Sequence, residues 1–297
     1  MRFDSYHPMI NLIYFTAAIL CTICFDQPVF LAISFVCALA YSVKLNGIKM
    51  LILDLIFVIC AIGYAAWYSY YNHFGMTNLR VNFIGNQITL EAVCYGLTRG
   101  VTVITLFMWF LCIFRLITAD KVVYLFGRIS PKLSLFLSIL LRMVPRIKER
   151  AKYIEVSREG IGKGIRQGNI VARISHLFSL LSILITWTLE DFVESSNSMR
   201  SRGYSLKGRT AFSIYRFDNR DRGLVILFFF CLTLVGMAVL LNQTGIYYSP
   251  VIIINPITPL SYVFYGAYAV FLLLPMTLQC IGENKFKQKK EEKICEN

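Results

Sequence analysis

The sequence predicts an all-α, polytopic membrane protein of about six transmembrane helices, with long cytoplasmic amphipathic helices between its fourth and fifth spans. Three observations predict it. The 297-residue chain is 57% hydrophobic and 16% charged, with a mean hydropathy of +0.60, where soluble domains carry about 25% charged residues. Uncharged apolar runs recur, among them Gly223–Leu241 and then Asn242–Gly282, and about 18 such residues are enough to read as a span. The 30 Lys and Arg residues outnumber the 17 Asp and Glu, giving a net charge of +13. They gather in a few loops between the apolar runs, as the positive-inside bias requires of cytoplasmic segments. No basic-and-aromatic strand pattern accompanies them, so the charge points to membrane lipid and protein partners, with no nucleic acid.

The first two spans, Met9–Phe25 and Pro28–Val43, are separated only by Asp26 and Gln27, so they form a tight hairpin or a partly re-entrant pair. The first comes after one basic residue, Arg2, and carries no small-residue cleavage signature, which reads as a retained span. The short basic loop Lys44–Lys49 leads into a third span, Met50–Tyr71. A polar stretch, Asn72–Thr89, holds only Arg80 as a basic residue and precedes the fourth span, Ala92–Thr118. The fifth and sixth are Gly223–Leu241 and Leu260–Ile281, with a Lys-rich tail from Lys285. Lysine and arginine placement puts both termini and the central stretch in the cytoplasm. Three regions result: N-terminal transmembrane helices over 1–117, a cytoplasmic helical domain over 118–222, and C-terminal transmembrane helices with a basic tail over 223–297.

The central domain carries two helical patterns. Between Ser134 and Ser157, apolar residues recur at Phe136, Leu140, Met143 or Val144, Ile147, Ala151 and Ile154, which is helical spacing. Arg142, Arg146 and Arg150 fall four apart on one face, and Pro145 is expected to kink or restart the helix. From His176 to Met199 a polar stripe of Ser179, Ser182, Thr186, Glu190, Glu194 and Asn197 runs opposite Leu181, Leu184, Leu189, Phe192 and Val193. The first part of this helix is apolar enough to enter the membrane surface. The glycine-rich run Gly160–Gly168 joins the two patterns; it lacks the spacing of a phosphate loop and reads as a flexible connector.

Each helix ends in an arginine motif, Ser157-Arg158-Glu159 and Ser201-Arg202-Gly203. A cation at a helix C-terminus has a structural reason to be there, favourable by about 0.3–1 kcal/mol. The functional reading is that both guanidinium groups enter acidic grooves of a partner, because the planar fork of arginine makes bidentate contacts to carboxylates.

The run Leu141–Ile147 with Arg142, Pro145 and Arg146, then Glu155–Gly160, then Ser198–Tyr204, then Gly208-Arg209-Thr210, resembles the transmembrane coupling (T) component of energy-coupling factor (ECF) transporters, the CbiQ-like family. The resemblance covers residues 120–215 by motif and the flanking spans by layout. The family pattern at each tip is Ala-Arg-Gly, continued after the second by a tyrosine and an Arg-Thr pair. Ser201-Arg202-Gly203-Tyr204 matches it well. At the first tip Glu159 stands where the family has glycine and Ser157 where it has alanine.

The resemblance implies a non-catalytic subunit of an importer in a bacterial or archaeal cell membrane. Two cytoplasmic coupling helices would dock onto two ABC-type ATPase subunits, and the chain would hold a small substrate-binding S component for vitamins or transition-metal ions. Arg158 and Arg202 would be the docking handles, with Arg142, Pro145, Arg146, Tyr204 and Arg209 in support. The chain has no Walker motif, so ATP chemistry would lie in the partners, and no cofactor or metal is expected.

The competing readings rest on fewer residues. An enzyme acting on lipid head groups needs clustered carboxylates, and Glu190-Asp191 with Glu194 is the one acidic cluster. A stand-alone permease needs polar groups along a path, for which Asp54 and Arg99 are the candidates. Asp54, four residues from Met50, is expected to snorkel towards Lys49, and Arg99 to pair with a neighbouring span or face the S component. Cys21 and Cys24 read as two small apolar residues on a membrane helix, since no second pair or His cluster completes a metal site.

Overall fold

The computed structural model describes residues 3–81, 87–204, 206, 215 and 217–295. In chain order its helices are α1 (Pro8–Cys24), α2 (Pro28–Asn46), α3 (Lys49–Tyr71), α4 (Leu90–Leu116), α5 (Ala119–Ile129), α6 (Pro131–Glu159), α7 (Ile170–Ser201), α8 (Asn219–Leu240) and α9 (Pro259–Cys295). Two short antiparallel strand pairs sit in connectors: β1 (Asn78–Val81) with β2 (Gln87–Thr89), and β3 (Ile246–Tyr247) with β4 (Ile253–Ile254). The chain is an all-α, multi-pass membrane protein. It divides into two compact units, one of Met1–Thr118 with Tyr215–Asn297 and one of Ala119–Ile214.

The helices of the first unit start where the sequence supplies a stop for the preceding backbone. α1, α2 and α9 open on prolines, whose missing N–H and fixed φ suit the first turn. Thr89 Oγ1 caps α4 by accepting from the Ala92 N–H at 3.4 Å, and the Asp221 carboxylate at the start of α8 accepts from the Asp218 N–H at 3.0 Å. The core is aromatic. Trp109 of α4 is fully buried between Tyr14 and Phe15 of α1, with ring centroids 6.0 and 6.3 Å away; Tyr14 also meets Phe271 of α9 at 5.2 Å. The polar tips of these rings are satisfied: Tyr14 Oη donates to the Leu272 carbonyl at 3.0 Å, and Trp109 Nε1 donates to Ser34 Oγ at 3.3 Å.

Close packing replaces the hydrophobic driving force that lipid does not provide between helices. Gly96 and Gly100, one turn apart on α4, lie against Ala65 and Ala61 of α3. A Cβ on Gly100 would stand 3.0 Å from the Ala61 carbonyl oxygen, and one on Gly96 would stand 3.1 Å from Ala65 Cα. Small residues on both helices are what let the backbones approach.

Several expectations change in the folded chain. Five of the six expected spans coincide with helices long and apolar enough to cross a membrane, but α1 has 17 residues and falls short of the rest; at about 1.5 Å per residue it reaches less than the roughly 30 Å of a hydrocarbon core. The sixth helix of crossing length is α7. Thr186 of its polar stripe and the nearby Thr188 return their hydroxyls to their own helix, donating to the Ser182 and Ile185 carbonyls at 3.1 and 2.8 Å, so these two interrupt its apolarity little. Asp54 does not snorkel. It is 1% exposed and buried beside Ser42 of α2; its place on α3 turns it inward, away from the exposed Leu53 and Leu55 on either side. Arg99 pairs with the connector between α1 and α2, through two contacts to Asp26 at 2.9 and 3.1 Å, and lies 5.2 Å from the Tyr95 ring. That connector is further tied down, since the Asp26 and Gln27 N–H groups both donate to the Thr244 carbonyl.

The second unit holds α5, α6 and α7. α5 lay unrecognised in the sequence, because its eleven residues are too few for a periodic pattern to stand out; Pro131 separates it from α6. α6 runs through Pro145 without restarting. The proline lies on the exposed side of the helix, where the Leu141 carbonyl that its missing N–H leaves unpaired can be satisfied from outside. α6 and α7 are stitched together by an ion pair between Arg150 and Asp191, with the Arg150 guanidinium 5.1 Å from the Trp187 ring.

Candidate functional site

The two arginine motifs lie at the ends of α6 and α7, and both helices stop by the same device in different register. At the end of α7, Arg202 is the C-cap and Gly203 takes a left-handed φ of 79°. The Tyr204 N–H donates to the Met199 carbonyl at 3.2 Å and the Gly203 N–H to the Arg200 carbonyl at 3.1 Å. These are the two bonds of a Schellman stop, with glycine at the one position that needs positive φ. Arg202 therefore sits at the very end of the helix, exposed, and its side chain has no partner among the described residues.

At the end of α6 the left-handed residue is Gly162, at φ 77°. The Lys163 N–H donates to the Arg158 carbonyl at 2.9 Å and the Gly162 N–H to the Glu159 carbonyl at 3.1 Å, which is the same pair of bonds placed three residues further beyond the arginine. Glu159 stands where α7 has its left-handed glycine, a conformation that costs a residue with a Cβ roughly 1–2 kcal/mol; the chain keeps a right-handed turn on through Gly160 (φ −61°) and stops at Gly162. Arg158 is thereby left inside the last turn and half-buried. Its Nη1 donates to Ser179 Oγ of α7 at 2.6 Å and its Nε to the Lys163 carbonyl at 3.4 Å.

The glycine-rich connector is held by a set of hydrogen bonds. Gln167 accepts from the Gly164 N–H at 3.0 Å and donates to the Glu159 carbonyl at 3.3 Å, while Arg173 Nε donates to the Gly168 carbonyl at 3.1 Å. Gly164 is buried against Glu159, where a Cβ would meet the glutamate carbons at 3.3 Å.

The remaining residues of the expected site are dispersed. Ser157 and Ser201 return their hydroxyls to the Tyr153 and Ser198 carbonyls of their own helices, both at 2.9 Å. Arg142 and Arg146 are exposed along α6, with no side-chain partner among the described residues, while Arg150 on the same face is engaged with Asp191. Tyr204 is 38% exposed just past the α7 stop. Arg209, with Gly208 and Thr210, lies outside the described residues. Thr186, Leu189, Glu190, Val193 and Glu194 line a shallow open groove along α7, and Asp191 faces away from it towards Arg150. Among the described residues no three His, Cys, Asp or Glu side chains gather where they could hold a metal, so the acidic stripe is spread along a helix.

The unit also leaves much apolar surface uncovered. In the most apolar window of α7, 6% of residues are buried, against 39% in that of α4. Val171, Phe178 and Val193 are each more than 60% exposed, and Phe136 and Val144 of α6 more than half. Contiguous apolar area on this scale marks a contact with lipid or protein. The chain matches no known family model and no curated protein.

Proposed function

We propose that the chain is the transmembrane coupling subunit of an ECF-type ABC importer. In this role it is a non-catalytic part that transmits the ATP-driven motion of two ABC-type ATPase subunits to a small substrate-binding S component, for uptake of a vitamin or a transition-metal ion. The observation that carries the reading is the α7 tip, where an exposed arginine with no side-chain partner among the described residues ends a long helix at a glycine stop, in a sequence that resembles the family motif through Tyr204. Arginine presented this way fits a carboxylate-lined groove. The uncovered apolar faces of α6 and α7 support it as surfaces for lipid and the S component. In this reading the positive-inside bias places both termini and residues 118–222 on the cytoplasmic side of the cell membrane, where ATP is available.

The test is composition and coupling. The chain is expected to purify with two ATPase subunits and a small membrane protein, and the Arg158→Ala/Arg202→Ala double variant to insert normally but lose ATP-coupled uptake. An active transporter that purifies without any ATPase, or undiminished uptake in the double variant, would contradict the proposal.

A further inference from the structure

The two arginines occupy different structural situations, although the sequence presents them as a repeated handle. Arg202 is exposed, and its guanidinium has no partner among the described residues. Arg158 has spent two of its donors inside the unit, one on a hydroxyl of the next helix and one on a carbonyl of the connector. The carbonyl of Arg158 also accepts the Lys163 N–H that closes the α6 stop. Arg158 thus touches the end of α6, the connector and α7 at once. We propose that Arg158 is a positioning residue, a strap through Ser179 and Lys163 that holds the α6–α7 hairpin end in one conformation, and that the arginine that engages a partner is Arg202.

The physical chemistry favours a strap. A hydrogen bond from a charged donor is stronger than one between neutral groups, and arginine can serve two acceptors in fixed directions because its donors form a rigid fork. The contact joins residues that are distant along the chain, so forming it restricts the glycine-rich connector, whose glycines are the residues with the most backbone freedom to lose. The position of the stop sets the geometry: with the left-handed residue at Gly162, Arg158 lies one turn short of the end and within reach of Ser179. The assignment of the partner contact to Arg202 rests on the coupling function proposed above; the strap itself does not.

Hydrogen–deuterium exchange of the purified full chain in lipid nanodiscs tests the strap directly. Arg158→Ala and Ser179→Ala are each expected to speed exchange of the Lys163 and Gly164 amides about tenfold, as loss of one charge-assisted hydrogen bond implies. Because Arg158→Ala already removes the contact to Ser179, the double variant is expected to exchange no faster than Arg158→Ala alone. Ser179→Thr, which keeps the hydroxyl, and Arg158→Lys, which keeps a charged donor, are expected to restore most of the protection, a rescue that general loosening of the hairpin would not show. Arg202→Ala is expected to leave these amides unchanged. Wild-type exchange in either Arg158→Ala or Ser179→Ala, additive effects in the double variant, absence of rescue, or an equal effect of Arg202→Ala would each overturn the strap. If the strap holds and no ATPase associates with the chain, the coupling reading fails alone.

Discussion

The tips of α6 and α7 carry the same arginine after the same serine and differ at the next position, Glu159 against Gly203. The left-handed residue stands directly after the arginine at α7 and four residues beyond it at α6. At α7 the helix ends on Arg202 and presents it. At α6 the helix overruns Arg158, and the side chain folds onto Ser179. A motif match therefore does not transfer a role: the backbone position of the arginine relative to the stop decides whether its charge faces outward or is used within the fold.

The comparison can be broken at its stops. Gly203→Val places a β-branched residue at φ 79° and should cost about 1–2 kcal/mol locally, seen as loss of amide protection at Gly203 and Tyr204 with α6 unaffected. Gly162→Ala should cost about 1 kcal/mol at the other tip and loosen the Lys163 amide, again leaving α7 as it was. Equal effects of each variant on both tips would show that the two stops are not separate. Glu159→Gly sharpens the comparison by restoring a glycine directly after Arg158. The stop should move there, the Lys163-to-Arg158 bond should be lost, and Arg158 should become as accessible to arginine-modifying reagents as Arg202; unchanged reactivity would show that Glu159 does not set the register.

Smaller effects mark the limits of the difference. Arg150→Ala, which removes the Asp191 ion pair and the Trp187 contact from partly buried positions, should lower the stability of the α6–α7 hairpin by about 1 kcal/mol. Ser157→Ala and Ser201→Ala should both stay within about 0.5 kcal/mol, because each hydroxyl bonds only its own helix. A large effect of either serine would mean that it touches something beyond the chain.

Much of the fold was legible because it is written in local pattern. Long apolar runs located α2, α3, α4, α8 and α9, and 3.6-residue spacing located α6 and α7. The features hidden from the sequence depend on contacts between distant residues. The inward turn of Asp54, the pairing of Arg99 with Asp26 and the close approach of Gly96 and Gly100 to α3 are properties of helix against helix, and no spacing within one helix encodes them. At the candidate site, Gly203 was readable as a stop because it comes directly after a helical pattern. Gly162 was not, because it lies among several glycines of one connector, of which Gly160 stays right-handed and Gly162 does not. Ser179 was noticed as part of a polar stripe, but its partner lies 21 residues away.

The central claim of the proposed coupling role is that Arg202 is the arginine that would engage an ATPase subunit. Its most direct test is the affinity of the ATPase subunits for the nanodisc-embedded chain, compared between wild type, Arg202→Ala and Arg158→Lys. The account predicts that Arg202→Ala weakens binding at least about 30-fold, as loss of a central arginine anchor does, while Arg158→Lys binds nearly as wild type. Wild-type affinity in Arg202→Ala would contradict it.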